Sequence, residues 1–332
     1  MSSTAVAGSP LTRRSFVGGA VGLSACLAGC SKSAESAPAS SGPVSVNMGT
    51  MVTEDFLPGW VADRDNLFGP EVDVSITTFQ SAQELSLAIT SGDIDLAMTD
   101  PQVSATLAQG GTPVRLLWIA LGATPKEGRF GIQVGPDSNA KELVDLAGAR
   151  IGVGSNTVPE YVMDRLLAKA GVNEGDFVKE ELKKMPVRFE MMSQGKVDAA
   201  ALPASLLALG EKMGCKTLMD DTHGDNLSQS VIVAREDFAA SDEGARAIES
   251  VHDAWGRACK AIQKNPEEYR DLLVERASLP EPLAKDYPIQ TYPQDSRPTQ
   301  DMIQPQLDWM LAKGYLKSGL TYDEESGTFR EA

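Results

Sequence analysis

Apolar positions along this chain follow two alternating rhythms. Short runs at residues 44–48, 72–76, 113–121 and 130–134 alternate or stay continuously apolar, as half-buried and fully buried strands do. Between them, apolar residues recur three and four apart, as in Phe56, Trp60 and Val61, or Leu85 and Ile89 behind the capping pattern Ser81-Ala82-Gln83-Glu84. Strand and helix alternating in this way predict an α/β protein. Further helices are expected over 101–109, to Ala170, over 187–194 and 203–213, and in a helical tail at 242–264, 266–277 and 299–313. Residues 280–298 hold five prolines and are expected to be irregular.

Two stretches repeat one pattern about a hundred residues apart: Gly92-Asp93-Ile94-Asp95-Leu96-Ala97 and Gly195-Lys196-Val197-Asp198-Ala199-Ala200. Each continues as an apolar run to a proline, Pro101 or Pro203. The glycine suits a left-handed helix end, and the proline suits the first turn of the next helix. Each copy therefore reads as helix, buried strand, helix. Open α/β sheets bind ligands where the strand's C-terminal end meets a helix start. Two copies predict two lobes whose strand tips face one cleft.

Composition narrows the partners. The chain has 30 basic and 46 acidic residues among 332, a formal charge of −16. An acidic body argues against non-specific binding to nucleic acid or anionic lipid. The two histidines, His223 and His252, and the cysteines form no metal-ligand spacing, and no cofactor motif is present. Residues 1–29 contain Arg13 and Arg14, no acid, and an apolar segment from Val17 to Ala28, ending at Leu27-Ala28-Gly29-Cys30. That segment is shorter than the roughly 20 residues a spanning helix needs. It resembles a twin-arginine export signal joined to a bacterial lipobox. The resemblance implies cleavage before Cys30, lipidation of Cys30, and a Ser/Ala/Pro-rich tether over residues 30–43. Cys215 and Cys259 would remain, either paired in a disulfide or as two separate thiols.

The body resembles a type II periplasmic-type solute-binding protein of an ABC importer, in the group for sulfonates, taurine, nitrate and thiamine-precursor pyrimidines. The resemblance rests on Leu143 with Asp145-Leu146-Ala147-Gly148-Ala149-Arg150-Ile151-Gly152-Val153, on the repeated Gly-x-(Ile/Val)-Asp strands, on Asn265-Pro266-Glu267-Glu268, and on Asp308-Trp309-Met310 before Gly314-Tyr315. It implies the two-lobed periplasmic binding protein type II fold, with two α/β lobes joined by a two-strand hinge. The crossings would fall at about 132–137 and 230–236. The first lobe would be discontinuous, 44–133 plus 232–332, and the second would span 134–231. The implied function is capture of a small solute and its delivery to a membrane permease, by a monomer anchored outside the cell membrane.

The cleft is expected to be lined by the loops after strands. These place Thr50, Met51, Val52, Gln80, Ser81, Thr99 and Asp100 on one side, and Ser155, Asn156, Thr157 and Pro203 on the other. Ser81, Asp100 and Thr157 also stand where helix caps belong, and Met51 and Pro203 where packing alone would place them. A carboxylate at Asp100 would repel an anion in the cleft and favour an amine or ring N–H. No arginine stands at a strand tip, so the ligand is left as a sulfonate-like or pyrimidine-like solute. A ligand-sensing or adhesion domain, and a pyrimidine-precursor-type enzyme, are the alternatives on the same fold.

Overall fold

A computed structural model describes residues 42–277 and 279–332. Arg13, Arg14 and Cys30, with the expected signal and most of the tether, lie outside the described residues. Strand β1 (Val44–Met51) leads through a 3-10 turn, Glu54–Phe56, into α1 (Leu57–Arg64). Pro58 sits in that helix's first turn, where no N–H is needed, and does not interrupt it. There follow β2 (Val72–Phe79), α2 (Ala82–Ser91), β3 (Leu96–Thr99), α3 (Pro101–Gln109), β4 (Val114–Leu121) and β5 (Phe130–Val134). Next come β6 (Arg150–Val153), α4 (Val158–Lys169), β7 (Val178–Glu181), α5 (Met185–Ser193), β8 (Ala199–Pro203), α6 (Ala204–Lys212) and β9 (Lys216–Asp220). The chain ends with β10 (Ser230–Arg235), α7 (Glu236–Ala239), α8 (Asp242–Lys264), α9 (Arg270–Arg276), α10 (Gln300–Ala312), β11 (Leu320–Asp323) and β12 (Thr328–Glu331).

Two five-stranded sheets share one plan. The first runs β2-β1-β3-β10-β4 and the second β7-β6-β8-β5-β9. In the first, β10 is antiparallel to both neighbours; in the second, β5 is. The remaining pairs β1–β2, β1–β3, β6–β7 and β6–β8 are parallel. β11 and β12 form a separate hairpin.

The repeated motif does the same structural work twice. Gly92 and Gly195 take φ of 85° and 67°, which closes the preceding helix in the left-handed region. The Asp95 carboxylate accepts from Asn47 N–H at 2.9 Å, and Asp198 accepts from Arg150 N–H at 2.7 Å. Each aspartate thus ties the incoming central strand, β3 or β8, to its parallel neighbour, β1 or β6. The apolar run that follows is buried on both faces. Along β8, Ala199 and Ala201 join the core beneath α4, whereas Ala200 and Leu202 join the core beneath α5 and α6. In the first sheet, Met48 and Trp118 face α1 and α8, and Ala97 and Ile119 face α2, α3 and α10. Cys215 and Cys259 are buried in different cores and are free thiols.

The chain leaves the first sheet after β4 and returns to it before β10, so the crossings span residues 122–129 and 221–229. They lie ahead of the segments 132–137 and 230–236 read from sequence. β5 pairs with β8 from Phe130 through Val134, and β10 pairs with β3 from Val231 to Ala234. An apolar run marks a strand, but not which sheet it joins. Gly122 opens the first crossing at φ 91°, and a Cβ there would stand 1.9 Å from the Ser228 carbonyl oxygen of the second. The two crossings touch at this point. Gly122→Ala is expected to lower stability by about 3 kcal/mol through backbone strain and the clash. An unchanged urea midpoint would show that the crossings separate freely.

Candidate functional site

Between the lobes lies a cavity of about 200 Å³, bounded by the tips of β1 and β6 and the starts of α2, α4 and α5. That volume suits a small solute rather than a drug-sized one, for which pockets run to roughly 300–1,000 Å³. Met51, Ala82, Val103, Pro159 and Met185 supply its apolar wall. Ser81, Gln83, Ser86, Thr106, Ser155, Asn156, Thr157, Lys183 and Arg188 supply polar groups. The wall contains two cationic side chains and no carboxylate, histidine or cysteine.

Arg188 decides its electrostatics. It sits in the first turn of α5 and is 2% exposed. Its Nε donates to Leu182 O at 2.9 Å and its Nη1 to Ala201 O at 2.8 Å. Among the described residues Nη2 makes no hydrogen bond. It lies against the β6 tip, where a Cβ on Gly154 would come within 2.6 Å of it. A side chain at 154 would force the guanidinium to shift. No carboxylate lies within ion-pair distance of Arg188 among the described residues. Burial lowers its pKa to about 10, with the more distant Glu181 charge opposing that fall. A buried cation without a counter-ion is costly, and beside a cavity it marks a place for a ligand's charge.

The start of α4 faces the same cavity. Thr157 holds the cap position with its hydroxyl donating to Gly154 O at 2.7 Å. The free N–H groups of this turn are met by carboxylates. Ser155 N–H is shared by the Glu181 oxygens at 3.2 and 3.3 Å, Asn156 N–H donates to Glu160 at 2.7 Å, and Val158 N–H donates to Asp100 at 3.1 Å. Asn156, at φ 58°, turns its amide across the cleft to Thr106 Oγ1 at 2.8 Å, and its Oδ1 is buried without a partner.

Other contacts also join the lobes around the cavity. Lys183 Nζ reaches Gln83 Oε1 at 2.9 Å. On the side of the C-terminal helix, Trp309 Nε1 donates to Asp164 at 3.0 Å, and the Tyr315 hydroxyl donates to the buried Glu160 at 2.9 Å. Glu160 thereby links the Asn156 loop of one lobe to the C-terminal segment of the other.

Of the residues expected from sequence, Met51, Ser81, Ser155, Asn156 and Thr157 line the cavity. Ser81 also caps α2, accepting from Glu84 N–H at 3.2 Å. Thr50 and Thr99 are buried in their strands, and Gln80, Val52 and Pro203 stand outside the wall. Asp100 stands outside it too. Its side chain does not cap α3, and its enclosed carboxylate spans the lobes to Val158. Burial pushes its pKa up to about 6, helped by the nearby Asp55 charge and opposed by the Val158 hydrogen bond. Behind it, burial raises the pKa of Asp55 and takes that of Glu54 up to about 8. Glu54 accepts from the Tyr287 hydroxyl at 2.7 Å, and its Oε2 has no partner.

Sequence reasoning missed Gln83, Ser86, Val103, Thr106, Lys183, Met185 and Arg188. The lack of an arginine at a strand tip does not leave the cleft without one, because Arg188 reaches it from helix α5. A signal was present: Arg188 falls in register with Phe189 and Met192 on the apolar side of an otherwise ordinary helix.

The family model for NMT1/THI5-like proteins matches residues 55–269, which take in both five-stranded sheets except β1 and the cavity lining except Met51. The chain belongs to this family. Among solved structures, it is similar to the periplasmic aliphatic sulphonate-binding protein SsuA from Escherichia coli, at 19% identity over 87% of this chain and 93% of that one, with a TM-score of 0.71. It is also similar to the alkanesulfonate-binding protein SsuA from Xanthomonas axonopodis pv. citri bound to MOPS, at 18% identity, 84% and 96% coverage and a TM-score of 0.70. The periplasmic nitrate-binding protein NrtA from Synechocystis PCC 6803 matches at 18% identity, with 83% of each chain covered and a TM-score of 0.67. No curated protein matches in sequence. At such identities the likeness establishes the fold, and the expected type II architecture of two α/β lobes holds for this NMT1/THI5-like chain.

Proposed function

We propose that this protein is the solute-binding component of an ABC importer, and that its cleft takes a small organic anion for delivery to a membrane permease. The observation that carries this reading is Arg188, a buried cation whose unused Nη2 faces a cavity wall without acids. The apolar residues Met51, Val103 and Met185 suit a short carbon tail behind the charged head. The related folds named above bind sulfonates and nitrate, which agrees with an oxyanion here. The Arg13-Arg14 signal and Cys30 support export and lipid anchoring of the body outside the cell membrane.

A thermal-shift series tests the reading. Binding the native state alone adds about 2.7 kcal/mol at a hundredfold excess over Kd. Methanesulfonate, butanesulfonate or nitrate is expected to raise the melting temperature, whereas putrescine and a neutral aminopyrimidine are not. A rise with putrescine or the pyrimidine, and none with any oxyanion, would overturn it.

A further inference from the structure

Resting on the anion reading, we propose that Glu181 is a built-in competitor for the ligand's charged head. It stands at the C-terminal end of the edge strand β7, opposite Val153 of β6. From there its two oxygens straddle Ser155 N–H at 3.2 and 3.3 Å, and one also accepts from the Ser155 hydroxyl. A carboxylate bridging a backbone amide and a hydroxyl at a helix start reproduces how a bound oxyanion is held. Helix α4 is 12 residues long, so the start carries a substantial positive end.

Two independent features argue for a ligand at this turn. Arg188, 2% exposed, points an unpaired Nη2 at the backbone just before Ser155. Asn156, the residue after it, buries an Oδ1 that has no partner. Both line the same cavity as Ser155. Glu181 supplies charge to Arg188 from a distance but makes no ion pair with it. The cation is therefore only partly compensated, and the donors of Ser155 are held by a side chain that solvent reaches freely. Binding then amounts to an exchange of carboxylates or sulfonates. An incoming oxyanion takes Ser155 N–H, the Ser155 hydroxyl and Arg188 Nη2, and Glu181 swings out to water. The exchange sets selectivity: a ligand must out-compete a carboxylate, which a neutral solute cannot do.

Isothermal titration of the full-length protein and its Glu181→Gln variant with butanesulfonate and butanol tests this. Glutamine keeps the size of the side chain and removes the charge. The variant is expected to bind butanesulfonate roughly tenfold more tightly and to gain nothing for butanol. A role confined to holding the loop would leave the two Kd values equal or weaken the variant, and either result overturns the inference while the anion reading stands. If neither protein binds butanesulfonate or any other oxyanion, both fall together. A Glu181→Ala variant that melts within a few degrees of the parent and binds butanesulfonate more tightly would support the exchange through charge rather than through a glutamine contact.

Discussion

Replacing Arg188 by methionine is expected to weaken binding of an oxyanion such as butanesulfonate by about 3 kcal/mol, a factor of about 150. Among the described residues the side chain is the only cation fully enclosed beside the cavity, so its loss removes the charge at which a ligand head would be desolvated. Stability is expected to move much less, because two effects oppose one another. Leu182 O and Ala201 O lose their donors, at about 1–3 kcal/mol for each carbonyl left dry. Against that, removal of an uncompensated buried cation relieves its desolvation cost. Arg188→Lys separates charge from geometry. A lysine keeps the cation, but cannot satisfy both carbonyls and still face the cavity. Its affinity should fall between parent and Arg188→Met. A folded Arg188→Met protein with the parent's Kd for the oxyanion would end the anion reading, whatever else binds.

Arg188 also shows which parts of the molecule could be read from sequence. The doubled Gly-x-(Ile/Val)-Asp strands were legible because each residue answers a local demand: a left-handed helix end at Gly92 and Gly195, and a carboxylate for the neighbouring strand's N–H at Asp95 and Asp198. The central strands were legible because burial on both faces leaves an unbroken apolar run. The edge strands of the second sheet were not. Val178-Lys179-Glu180-Glu181 in β7 and Lys216-Thr217-Leu218-Met219-Asp220 in β9 are exposed on their outer sides and carry charge, so neither rhythm marks them. Glu181 was hidden for that reason.

The cleft followed the same division. Residues at strand tips and helix starts, Met51, Ser81 and 155–157, follow from the α/β rule. Lys183 and Arg188 follow from tertiary placement of α5, which no local pattern reports. Asp100 was misjudged because its position in the chain says nothing of its direction. It turns from the cavity to the α4 N–H of the other lobe.

That turn leads to the second large effect: the folded body is expected to be more stable at pH 5 than at pH 8. Glu54 is pushed from 4.5 to about 8 and Asp100 from 3.8 to about 6, both chiefly by burial. Between pH 4.5 and 8 for Glu54, and between 3.8 and 6 for Asp100, the folded state holds protons that the unfolded chain has released. Stability therefore falls as pH rises through those windows. At 1.36 kcal/mol per pH unit, the most that can appear between pH 5 and pH 8 is about 4 kcal/mol for Glu54 and about 1 kcal/mol for Asp100, and relaxation around the charge will lower both. Asp145, Asp220, Glu211 and Glu267 have lowered pKa values, so their stabilisation is lost only at more acid pH and leaves this window clear. Urea midpoints at pH 5 and pH 8 measure the effect, and a parent more stable at pH 8 than at pH 5 would refute it. Glu54→Gln keeps an acceptor for the Tyr287 hydroxyl, and Asp100→Asn keeps one for Val158 N–H. Each should flatten its share of the slope. Of these two carboxyls only Asp100 bonds across the lobes, so only its variant should also change how ligand affinity depends on pH. Affinity in the parent should decline as pH rises through about 6, where closing the cleft takes up a proton. In Asp100→Asn that decline should disappear, with the hydrogen bond across the cleft still in place and its charge gone.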